Sequence, residues 1–265
     1  MFSKVTYASY STAVIGRAIL AEGTNPVILG RSIAFGALTA GCILFKQTKI
    51  RKIIAVGLLL LFCLANATKT QSRMALAITL GIPVLSLLLC SESKGRMKNF
   101  FLVLLLGSMS FYTVNLILES GLMSKMAMQR FEGQGLEESG RLELWRQGFY
   151  AFLKRPIHGC GIDNSPLTME GRYRGWAVHN NFIGIAVDLG LVGLTLATAI
   201  FYVLYKQLRN IADKGLKWLG MAMLLYALLS GMTAVNYTKK DFWYALTIAM
   251  VAVNIDRIKK EEVPL

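Results

Sequence analysis

Two arginines and a histidine stand at positions where this chain should begin helices on one common face: Arg73, Arg141 and His179. Ser72 is placed to cap the helix that Arg73 opens. A cation there meets the positive end of the helix dipole, at a cost of about 0.3–1 kcal/mol at an exposed site. An anion held between the guanidinium and the free helix amides offsets that cost, and a phosphate suits both. The competing reading is an interfacial arginine that snorkels to lipid headgroups. Arg141 repeats the pattern in the first turn of a second helix, where a solvated helix charge is the bland alternative. His179 lies immediately before an apolar run, where nearby positive potential disfavours imidazolium and leaves a neutral ring able to accept a proton at pH 7. A lone loop histidine is more often a surface or packing residue, and His158 competes for any histidine role.

Together the three describe a site with two guanidiniums, helix amides and a general base. No metal or other cofactor is called for, since the surrounding loop offers no clustered His/Cys/Asp set. Such a site suits a substrate whose leaving group is already activated and negatively charged, such as a pyrophosphate. Departure of that group needs charge stabilisation, and the attacking hydroxyl needs a base.

The elements that must position these groups are membrane helices. Of 265 residues, 54% are hydrophobic and 17% charged, against about 25% charged in soluble chains. The 29 basic and 15 acidic residues give a formal charge of +14. Because Lys and Arg fall mostly in short clusters between apolar runs, they orient a membrane protein rather than bind nucleic acid. Cys42, Cys63, Cys90 and Cys160 share no short-spaced pattern, which supports neither a disulfide framework nor a zinc site. Runs at 26–45, 53–68, 73–90, 100–119, 180–205, 217–235 and 242–256 predict an all-α polytopic bundle of about seven spans. Three regions follow: helices 1–4 over 1–119, a long connection over 120–179, and helices 5–7 over 180–265.

The loops after the first, third, fifth and seventh runs are rich in Lys and Arg and should be cytoplasmic. The N-terminus is then outside, yet residues 1–25 carry no secretory signal pattern. The expectation is therefore the C-terminal part of a longer polytopic protein, or a shortened relative. The connection at 120–179 faces outward. Within it Ser139 is placed to cap an amphipathic helix from about Gly140 to Lys154, ended by Pro156. Leu142, Trp145, Phe149, Phe152 and Leu153 form its apolar face, which should lie on the outer interface or cap the bundle. Gly159 and Gly161 permit a tight turn after it.

These residues resemble the O-antigen ligase/polymerase family of bacterial envelope enzymes. His179-Asn180, a gap of nine residues, then Gly190-Leu191-Val192-Gly193 is similar to a family signature at the outer start of a membrane helix. Ser72-Arg73, Gly140-Arg141-Leu142-Glu143-Leu144-Trp145 and Pro156-Ile157-His158-Gly159-Cys160-Gly161 resemble three further family elements, in family order. Thr24-Asn25-Pro26 with Leu29-Gly30-Arg31 looks like a segment that opens an earlier span. The resemblance implies an inverting transferase in the bacterial inner membrane, with its site facing the periplasm. It would act on a glycan carried by undecaprenyl diphosphate, among membrane lipids. The acceptor would be lipid A–core for a ligase, another glycan repeat for a polymerase, or a protein side chain. Carried over, Arg73 and Arg141 hold the pyrophosphate, and His179 activates or orients the acceptor. Asn180 belongs to the same substrate-binding motif, and Arg172 and Arg174 are second contacts for sugar or phosphate, with headgroup binding equally open. The chain departs from the family in its span count, since members commonly have about ten to twelve.

Asp188 should pair with a polar group on a neighbouring helix, because an unpaired acid in the membrane is costly. It follows His179 by nine residues, on the opposite helix face, so it should not orient the imidazole as in a triad. A transporter for the same lipid is the rival from another class; it would keep its charges near the bilayer midplane. An inactive member that lacks the early helices is the third reading.

Overall fold

The computed structural model describes residues 140–232, 234–235 and 237–261, the helix Pro26–Gly41 (with side chains over 29–38), two short strands, and single helical positions at 58, 61–62, 75, 78–79 and 81–82. The strands β1 (Thr6–Tyr7) and β2 (Ala18–Ile19) pair antiparallel. All other described elements are helical: α1 (Pro26–Gly41), α2 (Arg141–Lys154), α3 (Asn181–Arg209), α4 (Lys214–Gly231) and α5 (Lys240–Glu261). Short 3-10 turns at Ser165–Thr168 and Gly171–Tyr173 lie between α2 and α3. Thus α1, α3, α4 and α5 fall on four of the expected runs. The runs at 53–68 and 73–90 are described only at the single positions above, and 100–119 lies outside the described residues. Among the described residues, α3 is the one helix long and apolar enough to cross a membrane by length and composition.

The bundle is built around α4. Trp218, Met221, Ala222, Met223, Leu224, Tyr226 and Ala227 are buried around much of its circumference, as expected of a helix that is apolar on every side. Ala34 and Leu38 of α1, Phe201, Leu204 and Leu208 of α3, and Phe242, Ala245, Leu246 and Ala249 of α5 close on it. At the end where α3 passes to α4, Asp213 caps α4 by accepting from Gly215 N at 2.9 Å and Leu216 N at 3.2 Å. Asp256 of α5 ties down the same connection, accepting from Ala212 N at 3.1 Å and pairing with Lys260 at 2.6 Å.

The sequence reading of α2 needs one correction. Its N-cap is Gly140, at φ 67° and with no side-chain cap bond, rather than Ser139, which lies outside the described residues. Its protein-facing side is Leu144 and Gly148, with Trp145 half-buried, and Leu142, Phe149 and Leu153 of the expected apolar face are exposed, as the interface alternative of the sequence reading requires. The missing side chain at Gly148 decides this: a Cβ there would meet Ile183 at 2.8 Å and Val178 at 3.2 Å. Close approach to α3, not the greatest apolar content, selects the packed face.

The constraint that fixes α2 to α3 is a break in α3. At Gly190 the backbone turns to φ 65°, ψ −159°, and the helix is interrupted. The amides of Leu191 and Val192 would ordinarily bond to the carbonyls of Val187 and Asp188. Instead they donate to Pro156 O at 2.7 Å and Ile157 O at 3.3 Å, while Val187 O and Asp188 O accept from Cys160 N at 2.9 Å and Gly161 N at 2.8 Å. The turn after α2 is inserted into the helix ladder and satisfies every group the break frees, as buried backbone requires. Two glycines permit the contact. A Cβ on Gly159 would lie 2.4 Å from the Asp188 carbonyl, and one on Gly190 would lie 2.3 Å from Ile157 O.

The Asp188 side chain, fully buried, locks the same joint. It accepts from Ser165 N at 2.6 Å, Asp163 N at 3.1 Å and the Cys160 thiol at 3.7 Å, and takes a short hydrogen bond from the Tyr237 hydroxyl. Tyr237 belongs to the connection between α4 and α5, and its amide donates to Asn181 Oδ1 at 2.8 Å. The expected polar partner of Asp188 is therefore this phenol, together with loop amides. The Tyr237 phenol is pushed up from its usual value by burial and then by Asp188, so it stays a donor.

Gly159 and Gly171 both have positive φ, but only Gly159 is crowded. Gly171→Ala should cost about 1–2 kcal/mol from backbone conformation alone. Gly159→Ala adds a collision with backbone and should cost at least about 3 kcal/mol. Thermal unfolding of the purified variants in detergent checks the ranking; equal losses would contradict the inserted-turn geometry.

Candidate functional site

The site is assembled where α1, α2 and α3 begin and α4 meets α5. Asn180 ends the loop by capping α3: its Oδ1 accepts from Phe182 N at 3.0 Å and Ile183 N at 3.2 Å. His179 precedes it at φ 54°, in the left-handed region that His tolerates better than most residues. The preceding Val178 is fully buried beneath α2, in a small cluster with Leu144, Met169 and Tyr173. Packing of one residue thereby brings its neighbour His179 toward the start of α2, where Arg141 is the first helical residue. Asp188 is engaged elsewhere, as the helix geometry predicts.

A second guanidinium arrives from α1. Phe35 packs edge-on against Tyr226 of α4, with ring centroids 5.4 Å apart. One turn earlier on the same face stands Arg31, only 8% exposed, its Nε shielded from solvent and without a hydrogen-bond partner among the described residues. The Tyr226 hydroxyl donates to Asp241 Oδ2, at the start of α5, at 3.3 Å. The layer thus contains His179, Arg141, Arg31, Tyr226 and Asp241.

The half-buried imidazole of His179 is held below its ordinary value of 6.5, first by burial and then by the charges of Arg141 and Arg31. A neutral ring was expected from helix-terminus potential; desolvation and two guanidiniums are the actual causes. At pH 7 the ring can accept a proton, and the cations beside it can hold an anion. His158, by contrast, is exposed on the inserted turn. Arg172 lies over the Tyr173 ring, 4.8 Å from its centroid, and donates to the Tyr173 hydroxyl at 2.7 Å. That hydroxyl would sit 2.8 Å from a Cβ on Gly140, which places Arg172 beside the start of α2. Arg174 is exposed on the same turn, and Arg73 lies outside the described residues.

Sequence reasoning gave no role to Arg31, Tyr226 or Asp241. The signal for Arg31 was present: an ionisable residue inside an apolar membrane run is a functional candidate by default. Tyr226 and Asp241 carried no comparable signal, because their pairing depends on how α4 and α5 meet.

Residues 31–198 match the O-antigen ligase family. The chain is also similar to a candidate polysaccharide ligase of Rickettsia conorii, at 25% identity over 89% of this chain and 61% of that protein. A second candidate polysaccharide ligase, from Rickettsia prowazekii, is 24% identical over 62% of this chain and 45% of its own length. The chain thus spans about three fifths of the first relative.

With two histidines in the chain, His158→Gln leaves a single ring to titrate by NMR. His179 should titrate below 6.5. Its folded form favours the neutral ring, so removal of a neighbouring positive charge must raise the midpoint, and Arg141→Gln should move it upward. A midpoint at or above 6.5 in the His158→Gln protein would contradict this electrostatic account.

Proposed function

The chain belongs to the O-antigen ligase family, and from that premise we propose a ligase-type membrane transferase that moves a glycan from undecaprenyl diphosphate to an acceptor hydroxyl on the extracytoplasmic face. The observation that carries this reading is the placement of half-buried His179, just ahead of α3, beside Arg141 at the start of α2 and buried Arg31 of α1, whose charges together with burial push the imidazole below its ordinary value. In the proposed step the acceptor oxygen bonds to the anomeric carbon from the face opposite the diphosphate, and its proton passes to His179. The bond from that carbon to the diphosphate oxygen breaks, and its electron pair leaves with the diphosphate. The guanidiniums stabilise the charge that develops on the leaving group, usually a large contribution to such barriers.

Arg141 and Arg73 are assigned to the diphosphate, and Arg172 and Arg174 to second contacts with sugar or phosphate. Asn180 acts through the cap that holds the start of α3 beneath His179. The basic residues at the opposite end of α3, α4 and α5, among them Lys206, Arg209, Lys214, Lys217, Lys259 and Lys260, support an inner-membrane orientation in which that end is cytoplasmic. A transporter would need an available midplane charge. Asp188, the obvious intramembrane candidate, is committed to Ser165, Asp163, Cys160 and Tyr237, which favours the transferase reading. Lipid A–core is the proposed acceptor, with a growing glycan repeat as the polymerase alternative.

Reconstitution with an undecaprenyl-diphosphate-linked glycan and separate acceptors tests this. Lipid A–core should be glycosylated, and His179→Ala and Arg141→Ala should each lower transfer by roughly 10²- to 10⁴-fold. Arg73→Ala should fall in the same range, and all three variants should keep wild-type unfolding temperatures. Extension of free lipid-linked repeats alone would assign polymerase chemistry to the same site. Undiminished transfer by His179→Ala would remove the base.

A further inference from the structure

The flank of α2 that bears neither the buried Leu144 and Gly148 nor the exposed Leu142 and Phe149 forms one wall of a groove of about 430 Å³. Glu143, Arg146, Gln147, Tyr150 and Lys154 recur three or four residues apart along that wall, and Thr168 and Glu170 of the connection to α3 stand on the other. Arg146 donates twice to the Glu143 carboxylate, at 2.9 Å each, and Lys154 pairs with Glu170 at 3.5 Å. Gln147 ties the walls together: its Nε2 donates to Glu143 Oε1 at 3.0 Å, and its Oε1 accepts from Glu170 N at 3.0 Å. The groove opens in the first turn of α2, the turn that carries Arg141, where the charge of Arg172 also acts on Glu143. From Glu143 to Lys154 it follows the helix for about 17 Å.

The chemistry of the walls selects the occupant. Two acids and two bases cancel, and each is already paired, so the groove presents no net charge to attract a phosphate, an anionic headgroup or a nucleic acid. It presents hydrogen-bonding groups of both kinds instead. Arg146 and Lys154 carry more N–H donors than these pairs use. The Thr168 hydroxyl, which donates to Ser165 O at 2.8 Å, can still accept. A sugar hydroxyl both donates and accepts, so it matches either kind. The exposed Tyr150 ring, with the Arg146 guanidinium 5.9 Å from its centroid, adds an apolar face for the C–H side of a sugar. Because the polar groups are held by one another, little ordering is left to be done on binding. We propose that the groove along α2 binds an uncharged segment of a glycan chain, its hydroxyls on the paired polar groups and one sugar ring against Tyr150. This rests on the reading of the neighbouring site as a glycan-transfer centre, from which sugars extend on both the carrier-linked donor and the acceptor. Tyr150 and Glu170 are binding groups here, since proton transfer is assigned to His179.

Equilibrium binding separates this proposal from the transfer reaction. The full chain in detergent is titrated with undecaprenyl diphosphate bearing an uncharged tetrasaccharide, with bare undecaprenyl diphosphate, and with lipid A–core before and after removal of its outer sugars. Tyr150→Ala should weaken binding of a sugar-bearing probe by roughly five- to twentyfold, and change its sugar-free counterpart less than about twofold. Tyr150→Phe keeps the ring and should lose less than about threefold, and Glu170→Gln should weaken the same probe as Tyr150→Ala. Whether the carrier-linked glycan or lipid A–core loses affinity names the source of the sugars. Equal weakening with and without sugars, no weakening of either sugar-bearing probe, or no binding of either by the wild type would overturn the proposal. So would equal or tighter binding of a carrier-linked tetrasaccharide that contains uronic acids. Sugar-dependent binding that these variants impair, in a protein that transfers no glycan in the reconstituted assay, would instead sink the transferase reading and leave the groove as a glycan-binding site.

Discussion

The exchange of hydrogen bonds at the Gly190 break is the interaction on which the rest of the structure depends. Two bonds that α3 would make within itself are replaced by four to the Pro156–Gly161 turn. The backbone therefore loses no pairing, and the helix gains a fixed attachment to the segment that precedes it. That attachment sets how α2 lies on α3, and this in turn brings Arg141 close enough to His179 for its charge to disfavour the imidazolium form. Side-chain contacts alone would specify the arrangement less sharply, since apolar surfaces slide at small cost. Backbone ladders hold one register. The Asp188 carboxylate extends the joint to the α4–α5 connection through Tyr237, so that α2, α3, α4 and α5 meet at one set of bonds.

Within this frame the electrostatics of the site run against ordinary stability. Cations gather around a half-buried imidazole, and the Arg31 guanidinium is buried with no ion pair to a carboxylate among the described residues. Packing elsewhere tolerates this. The extensively buried α4 and the close crossing at Gly220, where a Cβ would stand 2.2 Å from Leu208 Cδ2, anchor the helices that carry the charges. An anion would relieve the repulsion and pair with groups already in place, so little reorganisation is needed on binding.

The sequence made much of this legible. Apolar runs located α1, α3, α4 and α5, and the spacing of Arg141, His179 and the paired glycines marked the end of the bundle where the candidate site lies. The Pro156–Gly161 turn and the Gly190–Gly193 pair could be recognised, but not that they bind each other, because a ladder between segments leaves no periodic trace. Asp188 was rightly expected to find a partner, yet Tyr237 could not be named from one chain of letters. The apolar stripe on α2 did not reveal which side meets α3: Gly148 and Leu144 permit close packing, while the bulkier residues are left facing outward. Arg31 was visible as a charge in an apolar run and acquires meaning only through the Phe35–Tyr226 contact that fixes its height.

The inserted turn also dictates an order of assembly. A broken helix with a bare carboxylate is a poor candidate for partition into lipid, since its free amides, carbonyls and acid would all be left without partners in hydrocarbon. Most of the missing partners lie just upstream, at Pro156 to Ser165, and have already left the ribosome when α3 is made. The two pieces can therefore pair before the rest of the bundle is made. The phenol of Tyr237 follows α4 in the chain, so its bond to Asp188 can close only after α4 has been made and packed against α3.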